Sequence, residues 1–224
     1  MSTTKAERSE LNVICNSYRR RHNPYDNFQT EIIAKPKLIK SIKIRIKGEI
    51  FMKKIAVFLD GANLFYTQKK LGWNIDSERL LEYCKELGEV VEATYYIGKA
   101  QEGNSKKFLD KLSYIGYSLE TKPIKNIYDQ EGNLSCRKAN LDIEIVLDMF
   151  NMIDRYDLAI LISGDGDFER PLQILKSRGK EVKVISTKGI VASELIHVTG
   201  LHYIDFLSIK ELVKRKEEHI ENAA

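Results

Sequence analysis

Acidic residues follow two short, wholly apolar segments of the sequence, and they are the side chains best suited to chemistry. Asp60 comes directly after residues 55–59 and opens the sequence DGAN, whereas Asp165 and Asp167 follow residues 158–162 within the sequence SGDGDF. Short runs of apolar residues are typical of strands buried in a parallel sheet. Ligands bind outside the carboxyl ends of such strands, so we expect these three carboxylates to meet at one edge.

A fourth carboxylate, Asp142, stands near the start of a helix that the apolar spacing predicts over residues 141–153. Clustered carboxylates raise one another's pKa unless a cation neutralises them. Oxygen ligands that leave room for water and phosphate suit Mg²⁺ or Mn²⁺. The sequence therefore predicts a divalent-cation site. Its expected ligands are Asp60, Asp142, Asp165 and Asp167.

Each aspartate taken singly also has a purely structural explanation. An Asp after a strand commonly caps the next helix, and Asp-Gly pairs form turns without any chemistry. This explanation has most weight for Asp60 and Asp142. It is weaker for Asp165 and Asp167, because two acids separated by one glycine cannot both be the same cap.

Substrate-binding candidates are basic or aromatic. Arg137 and Lys138 precede Asp142 and are able to hold a substrate phosphate, although an exposed pair at a sheet edge fits equally well. Several tyrosines are candidates for stacking on single-stranded bases, but an aromatic residue beside an apolar strand is more often part of the core. These tyrosines are Tyr66, Tyr95, Tyr96 and Tyr128.

The elements that must position these residues alternate along the chain from Met52 onward. Strands are predicted at residues 55–59, 90–97, 117–121, 158–162, 182–185 and 202–206. Helices are predicted at residues 62–71, 77–87, 105–115, 141–153, 168–177, 191–198 and 209–216. A hairpin is expected from residues 124–128 and 134–137 at the sheet edge. The alternation indicates an α/β fold, a three-layer α/β/α sandwich around a mostly parallel sheet.

The charge of the chain is unevenly distributed. The 224 residues contain 36 Lys and Arg and 32 Asp and Glu, a formal net charge of +4. Residues 1–51 hold eleven basic and five acidic residues, a net charge of +6, so residues 52–224 carry −2. The positive charge therefore belongs to the N-terminal quarter and is no argument that the core binds nucleic acid.

The sequence divides into three predicted parts, which are a basic extension at residues 1–51, a domain at residues 52–216 and a polar tail at residues 217–224. The composition of the extension favours poor order, and a basic arm for nucleic acid is a second interpretation. Its Lys/Ile alternation up to Ile46 has the period of a strand. A third hypothesis is an over-long start assignment. Under it the natural start is Met52, because the preceding Lys-Gly-Glu is what a purine-rich ribosome-binding sequence would encode.

The apolar runs, the N-terminus and the cysteines of the sequence indicate where in the cell the protein is expected. No apolar run approaches the roughly 18 residues of a membrane span, and the N-terminus lacks the apolar region of a secretion signal. The three cysteines form no CxxC pattern, which fits a reducing compartment. We therefore expect a cytoplasmic protein with no membrane partner. The sequence leaves open whether it forms a homo-oligomer or binds a protein partner.

Three segments in order resemble the NYN domain family, the LabA-like branch of the PIN-like nuclease superfamily. They are VFLDGANL at residues 57–64, KANLD at residues 138–142, and SGDGDF at residues 163–168 with Pro-Leu shortly after. The resemblance spans about residues 53–212 and implies a PIN-like sandwich that cleaves RNA with Mg²⁺ or Mn²⁺. By position it implies an acidic metal cluster of Asp60, Asp142, Asp165 and Asp167, with Asn63 as a polar neighbour that orients water or substrate. Ser163 and Lys138 stand where the family keeps a small hydroxyl and a base.

The predicted function is metal-dependent endoribonuclease activity, in which a metal-activated water attacks the phosphodiester and no protein nucleophile is needed. The alternative is a non-catalytic regulatory or scaffold module that binds RNA, a nucleotide or a protein through the same acidic pocket. A phosphatase of the haloacid dehalogenase type fits poorly, because Ala62 stands where that chemistry needs a second Asp.

Overall fold

A computed structural model of the chain describes residues 30–33, 43–46, 49–99, 105–128 and 134–216. Within these ranges only the backbone is described for residues 30–33, 43–46, 49–51, 105, 125–128 and 134–138. The chain divides into two compact units, one of residues 1–33 and 43–51 and the other of residues 34–42 and 52–224. The predicted polar tail and most of the predicted extension lie outside the described residues.

The first unit contains a small antiparallel sheet. Its strands are β1 (Thr30–Ile33), β2 (Lys43–Ile46) and β3 (Glu49–Phe51), in the order β1-β2-β3. The Lys/Ile alternation that predicts a strand is thus confirmed over Lys43–Ile46.

The second unit contains the remaining elements. Its strands are β4 (Lys54–Asp60), β5 (Glu89–Lys99), β6 (Ser118–Pro123), β7 (Lys125–Tyr128), β8 (Leu134–Lys138), β9 (Leu158–Ile162), β10 (Glu181–Ser186) and β11 (Tyr203–Asp205). Its helices are α1 (Gly61–Leu71), α2 (Ser77–Lys85), α3 (Ser105–Ile115), α4 (Asp142–Asn151), α5 (Glu169–Ser177), α6 (Ser193–Thr199) and α7 (Lys210–Val213). None of the helices in the described part of the chain is both long enough and apolar enough to cross a membrane.

Six strands form one parallel sheet in the order β11-β10-β9-β4-β5-β6. Strands β4, β5 and β6 lie on one side of the boundary between β4 and β9, and strands β9, β10 and β11 lie on the other. The direction of winding therefore reverses between β4 and β9, which is where ligands bind in sheets of this kind.

Helices cover both faces of this sheet. Alternate residues of β4 point to opposite faces, so Val57 and Leu59 pack in a cluster with Leu64 of α1, while Phe58 packs with Ile145 of α4. The first cluster also takes residues from α2, α3 and α7, and the second from α5 and α6. The prediction of a three-layer α/β/α sandwich with a mostly parallel sheet is confirmed.

Two elements differ from the sequence-based expectation. The hairpin of β7 and β8 forms its own two-stranded sheet instead of extending the central one. Pro123 ends β6, and a proline has no backbone N–H with which to continue a ladder. The last helix ends at Val213, not residue 216, because Lys214 forms an antiparallel bridge with Ile75.

Candidate metal centre

The ends of β4 and β9 bring the two predicted motifs side by side at the point where the winding reverses. Leu59 lies opposite Ile162 in the parallel ladder, so Asp60 and Ser163 follow at the same edge. The Ser163 hydroxyl donates a hydrogen bond to Asp60 Oδ2 at 3.0 Å. The two motifs are therefore joined directly through their side chains.

Asp60 is the buried anchor of this edge. It is 9% exposed, and its Oδ1 accepts a hydrogen bond from the Asn63 backbone N–H at 3.0 Å, which caps α1. Burial raises the pKa of Asp60, the hydrogen bonds from Asn63 and Ser163 lower it, and the nearby charge of Asp142 raises it. Asp60 thus has the cap role that the structural explanation predicts, within the electrostatic reach of a second acid.

The loop after β9 is held by the same residues. The Asp165 backbone N–H donates to Ser163 Oγ at 3.2 Å, and the Asp167 N–H donates to Asp165 Oδ1 at 3.0 Å. Asn63 Oδ1 accepts a hydrogen bond from the Gly164 N–H at 2.9 Å. A Cβ on Gly164 would lie only 2.8 Å from the Ile190 carbonyl oxygen, so the loop needs glycine there. Asp60 and Asn63 therefore fix the backbone that carries the other two acids.

Asp142 is the first residue of α4, which packs on the face of the sheet opposite α1. The capping explanation for Asp142 is wrong, because Leu141 occupies the cap position and makes no side-chain capping hydrogen bond. Asn140 Oδ1 accepts a hydrogen bond from the Asp142 backbone N–H at 2.8 Å. Lys122 donates from Nζ to the Asn140 carbonyl oxygen at 3.2 Å and to Glu144 Oε1 at 2.7 Å. The hydrogen bond from Lys122 lowers the pKa of Glu144. The start of α4 is therefore tied to the end of β6.

Three of the four predicted aspartates come together. One carboxylate oxygen from each of Asp142, Asp165 and Asp167 lies within 4.8 Å of the other two, and we term these residues the acidic group. Asp142 is half-buried, and Asp167 is exposed. Among the side chains that the structure describes, neither Asp165 nor Asp167 takes part in an ion pair. Asp60 lies deeper and connects to this group through Ser163.

The other predicted site residues have different positions. Ser163 is 1% exposed and is already engaged by Asp60 and the Asp165 N–H, so its contacts support the loop. Asn63 likewise holds Gly164. The backbone of Arg137 and Lys138 lies in β8, and their side chains lie outside the described residues. Their proposed contact with substrate stays a prediction.

The sequence reasoning missed the support of Asp142. Asn140 lies within the KANLD segment, and its spacing of two residues before Asp142 was a readable signal for an Asx turn. The contact between Lys122 and Glu144 joins residues 22 positions apart on different elements. No local pattern could have indicated that pair.

Comparisons with known proteins show similarity in sequence and in fold. The NYN domain profile matches residues 54–208. The low amplitude and bright protein LabA of Synechococcus elongatus is 41% identical over 167 residues, which cover 73% of this chain and 89% of that protein. A crystal structure of a protein of unknown function from Vibrio parahaemolyticus gives a TM-score of 0.62 at 23% identity, covers 73% of this chain and 97% of that one, and supports the fold alone.

The profile match covers more than half of the chain, and the similarity to LabA extends over most of both proteins. The two matches confirm a LabA-like domain with a nuclease-like fold. The chain belongs to the NYN domain family.

Proposed function

We propose that the protein is a Mg²⁺- or Mn²⁺-dependent endoribonuclease of the cytoplasm. The observation that carries this proposal is the acidic group at the winding reversal, whose carboxylate oxygens lie within 4.8 Å of one another. Membership of a nuclease-like family supports the same reaction and favours RNA as the substrate.

The residues present fit a divalent cation. Their donors are carboxylate oxygens, which Mg²⁺ and Mn²⁺ prefer over nitrogen or sulfur. The exposure of Asp167 leaves one side of the group open to water and substrate. Three carboxylates this close repel one another unless a cation joins them, so an ion of charge +2 would relieve the repulsion. Asp142, Asp165 and Asp167 are the residues that would hold it, with Asp60 behind them.

A bound divalent ion lowers the pKa of a water molecule and stabilises the charge that develops on a phosphate. The protein's own residues hold the carboxylates of the acidic group in position. Asp60 and Asn63 hold the loop of Asp165 and Asp167 at a fixed distance from the sheet edge. Asn140 and Lys122 hold the start of α4 and with it Asp142. Preorganised carboxylates need no rearrangement when the phosphodiester arrives.

The experiment that tests this function uses a covalently closed circular RNA, which only an endonuclease can open. We expect purified protein to linearise the circle with Mg²⁺ or Mn²⁺ and to leave it intact with EDTA. Asp165→Asn should slow the reaction about a hundredfold or more, because it removes one charged ligand. Asp154→Asn is the matched control, since Asp154 is an exposed aspartate beyond the far end of α4.

Two results would contradict the proposal. A circle left intact by the wild-type protein with either ion would favour the non-catalytic regulatory or scaffold module. Equal cleavage by the wild-type and Asp165→Asn proteins would show that the acidic group does not perform the reaction.

A further inference from the structure

The outer side of α1, the helix that begins at Asp60, carries two large aromatic rings. Phe65 is 51% exposed and Tyr66 is 61% exposed, and their ring centroids lie 5.6 Å apart in an edge-to-face arrangement. Such rings leave apolar area in water, and neither residue type is a strong helix former. Neither core packing nor helix propensity explains why these two rings occupy exposed positions.

Helix geometry relates Tyr66 to the loop that carries Asp165 and Asp167. Tyr66 is three residues after Asn63 and six after Asp60, which corresponds to about 9 Å along the helix axis from Asp60. Residues three apart share a side of a helix, so Tyr66 lies on the same side as Asn63. That side meets the loop of the acidic group, because Asn63 Oδ1 accepts a hydrogen bond from Gly164.

Positive charge accompanies the rings. The Lys69 ammonium lies 4.4 Å from the centre of the Phe65 ring, and Lys70 is one turn after Tyr66 on the same side of α1. The helix contains no Asp or Glu. Lys188 is exposed in the loop after β10, and a Cβ on its neighbour Gly189 would lie 3.6 Å from Lys70 Nζ. Lys69 and Lys70 therefore accompany the two exposed rings on α1, and the loop that carries Lys188 approaches Lys70.

The other tyrosines considered for base stacking differ from Tyr66. Tyr95 is 4% exposed and Tyr96 is 1% exposed, and both lie in the core clusters. Tyr95 and Tyr96 are therefore core residues, as the alternative to base stacking predicts. The side chain of Tyr128 lies outside the described residues. Among the described candidates, Tyr66 is the one whose ring a base can reach.

We propose that Phe65, Tyr66, Lys69 and Lys70, which we term the α1 surface, bind single-stranded RNA next to the acidic group. Bases stack on the two rings while the lysines contact phosphates, the combination by which proteins hold single strands. Bases in a duplex are already paired and stacked, so the α1 surface selects unpaired segments. The identification of the ligand as RNA rests on the proposed function. The inference deepens that function by specifying that the bound RNA is single-stranded.

The test measures binding without cleavage. The anisotropy of a fluorescein-labelled single-stranded RNA of about 12 nucleotides is followed in EDTA with full-length protein. The double variant Phe65→Ala/Tyr66→Ala should bind about tenfold more weakly or worse, because one stacked base contributes roughly that factor. Tyr66→Phe keeps a ring and should bind like the wild type. Tyr114→Ala is the matched control, since Tyr114 is a 93% exposed tyrosine on α3.

Two further measurements test the role of the lysines and the preference for single-stranded over double-stranded RNA. Lys69→Gln/Lys70→Gln should reduce the slope of log affinity against log salt by about 1.4, about 0.7 for each lost phosphate contact. The same RNA annealed to its complement should bind at least about tenfold more weakly. Equal binding of the duplex, or wild-type affinity in the Phe65→Ala/Tyr66→Ala protein, would overturn the proposal.

A failure of this binding test can be distinguished from a failure of the cleavage test of the proposed function. If circular RNA stays intact while Phe65→Ala/Tyr66→Ala loses binding, the nuclease is rejected and the α1 surface is supported. If the circle is cut but the double variant binds normally, the α1 surface is rejected.

Discussion

The edge of the central sheet where the strands begin and the edge where they end differ in how their charged residues are arranged. Where the strands begin, Lys53 Nζ lies 2.5 Å from Glu181 Oε2, and Asp157 Oδ2 accepts a hydrogen bond from the Lys54 N–H at 3.2 Å. Where the strands end, three carboxylates lie within 4.8 Å of one another. The first edge holds an ion pair and a carboxylate bonded to a backbone N–H, whereas the second gathers charges of one sign. The cation proposed for this site would relieve the repulsion.

The comparison separates residues that serve folding from residues that serve binding. Asp60 belongs to both classes, since it caps a helix and also holds the loop of Asp165 through Ser163. Substitutions at the strand-beginning edge should therefore change stability alone. Substitutions in the acidic group should change metal binding and cleavage, and those at Asp60 should change both.

The largest effect is expected for Asp167→Asn. RNA cleavage should fall about a hundredfold or more, because a charged ligand is replaced by a neutral amide. The free energy of unfolding should change by less than about 0.5 kcal/mol, as for other exposed substitutions. Gel assays of RNA cleavage and urea denaturation measure the two quantities. A large loss of stability with cleavage intact would reverse the assignment of this edge to binding.

Asp60→Ala should be the most destabilising of these changes. It removes the cap of α1 and leaves the buried Ser163 hydroxyl without its acceptor, which together reduce the free energy of unfolding by about 2–3 kcal/mol. Urea denaturation in EDTA measures this loss. Asp60→Asn keeps a capping side chain and should lose less. A loss below about 0.5 kcal/mol for the alanine variant would show that Asp60 does not support the edge.

Lys122→Met should weaken the binding of Mn²⁺ about tenfold through the position of Asp142, which is the lower end of the effects that outer residues have on metal affinity. The ion pair with Glu144 is partly exposed, so we expect a loss of stability below about 1 kcal/mol. Calorimetry and urea denaturation separate the two effects. Lys122→Arg should restore most of the affinity. Wild-type affinity in the methionine variant would exclude a positioning role for Lys122.

The smallest effect is expected for Lys53→Met at the strand-beginning edge. The side chains of its ion pair with Glu181 are 30% and 42% exposed, and pairs of this kind contribute about 1 kcal/mol or less. Cleavage and metal affinity should equal those of the wild type. A loss of cleavage in this variant would show that the two edges are not independent.

The sequence was sufficient for the fold because its signals are local. The apolar run before Asp60 predicts a buried strand, and Gly72, which adopts a φ of 71°, ends α1 where the sequence places the end. In this sheet the winding reverses between β4 and β9, which brings Asp60 near Ser163. The separate hairpin of β7 and β8 was not predictable in the same way, because it depends on how β6 ends at Pro123.

The candidate site was only partly predictable. The spacing of Asp165 and Asp167 and the resemblance to a known family pointed to the acidic group, whose grouping the fold supports. The depth of Asp60 was not visible, because burial depends on neighbours from β9. The Lys122–Glu144 pair and the exposure of Phe65 likewise arise from tertiary packing. Such contacts leave no periodic pattern in a sequence.

The measurement that tests the central claim most directly is a calorimetric titration of Mn²⁺ into three proteins: the wild type, Asp165→Asn, and Glu181→Gln as the control from the strand-beginning edge. We predict saturable binding by the wild type and by Glu181→Gln. The affinity of Asp165→Asn should be at least about tenfold weaker, since one charged ligand is lost. No saturable binding by the wild type, or equal affinity in Asp165→Asn, would contradict the claim that this edge gathers its acids to hold a cation.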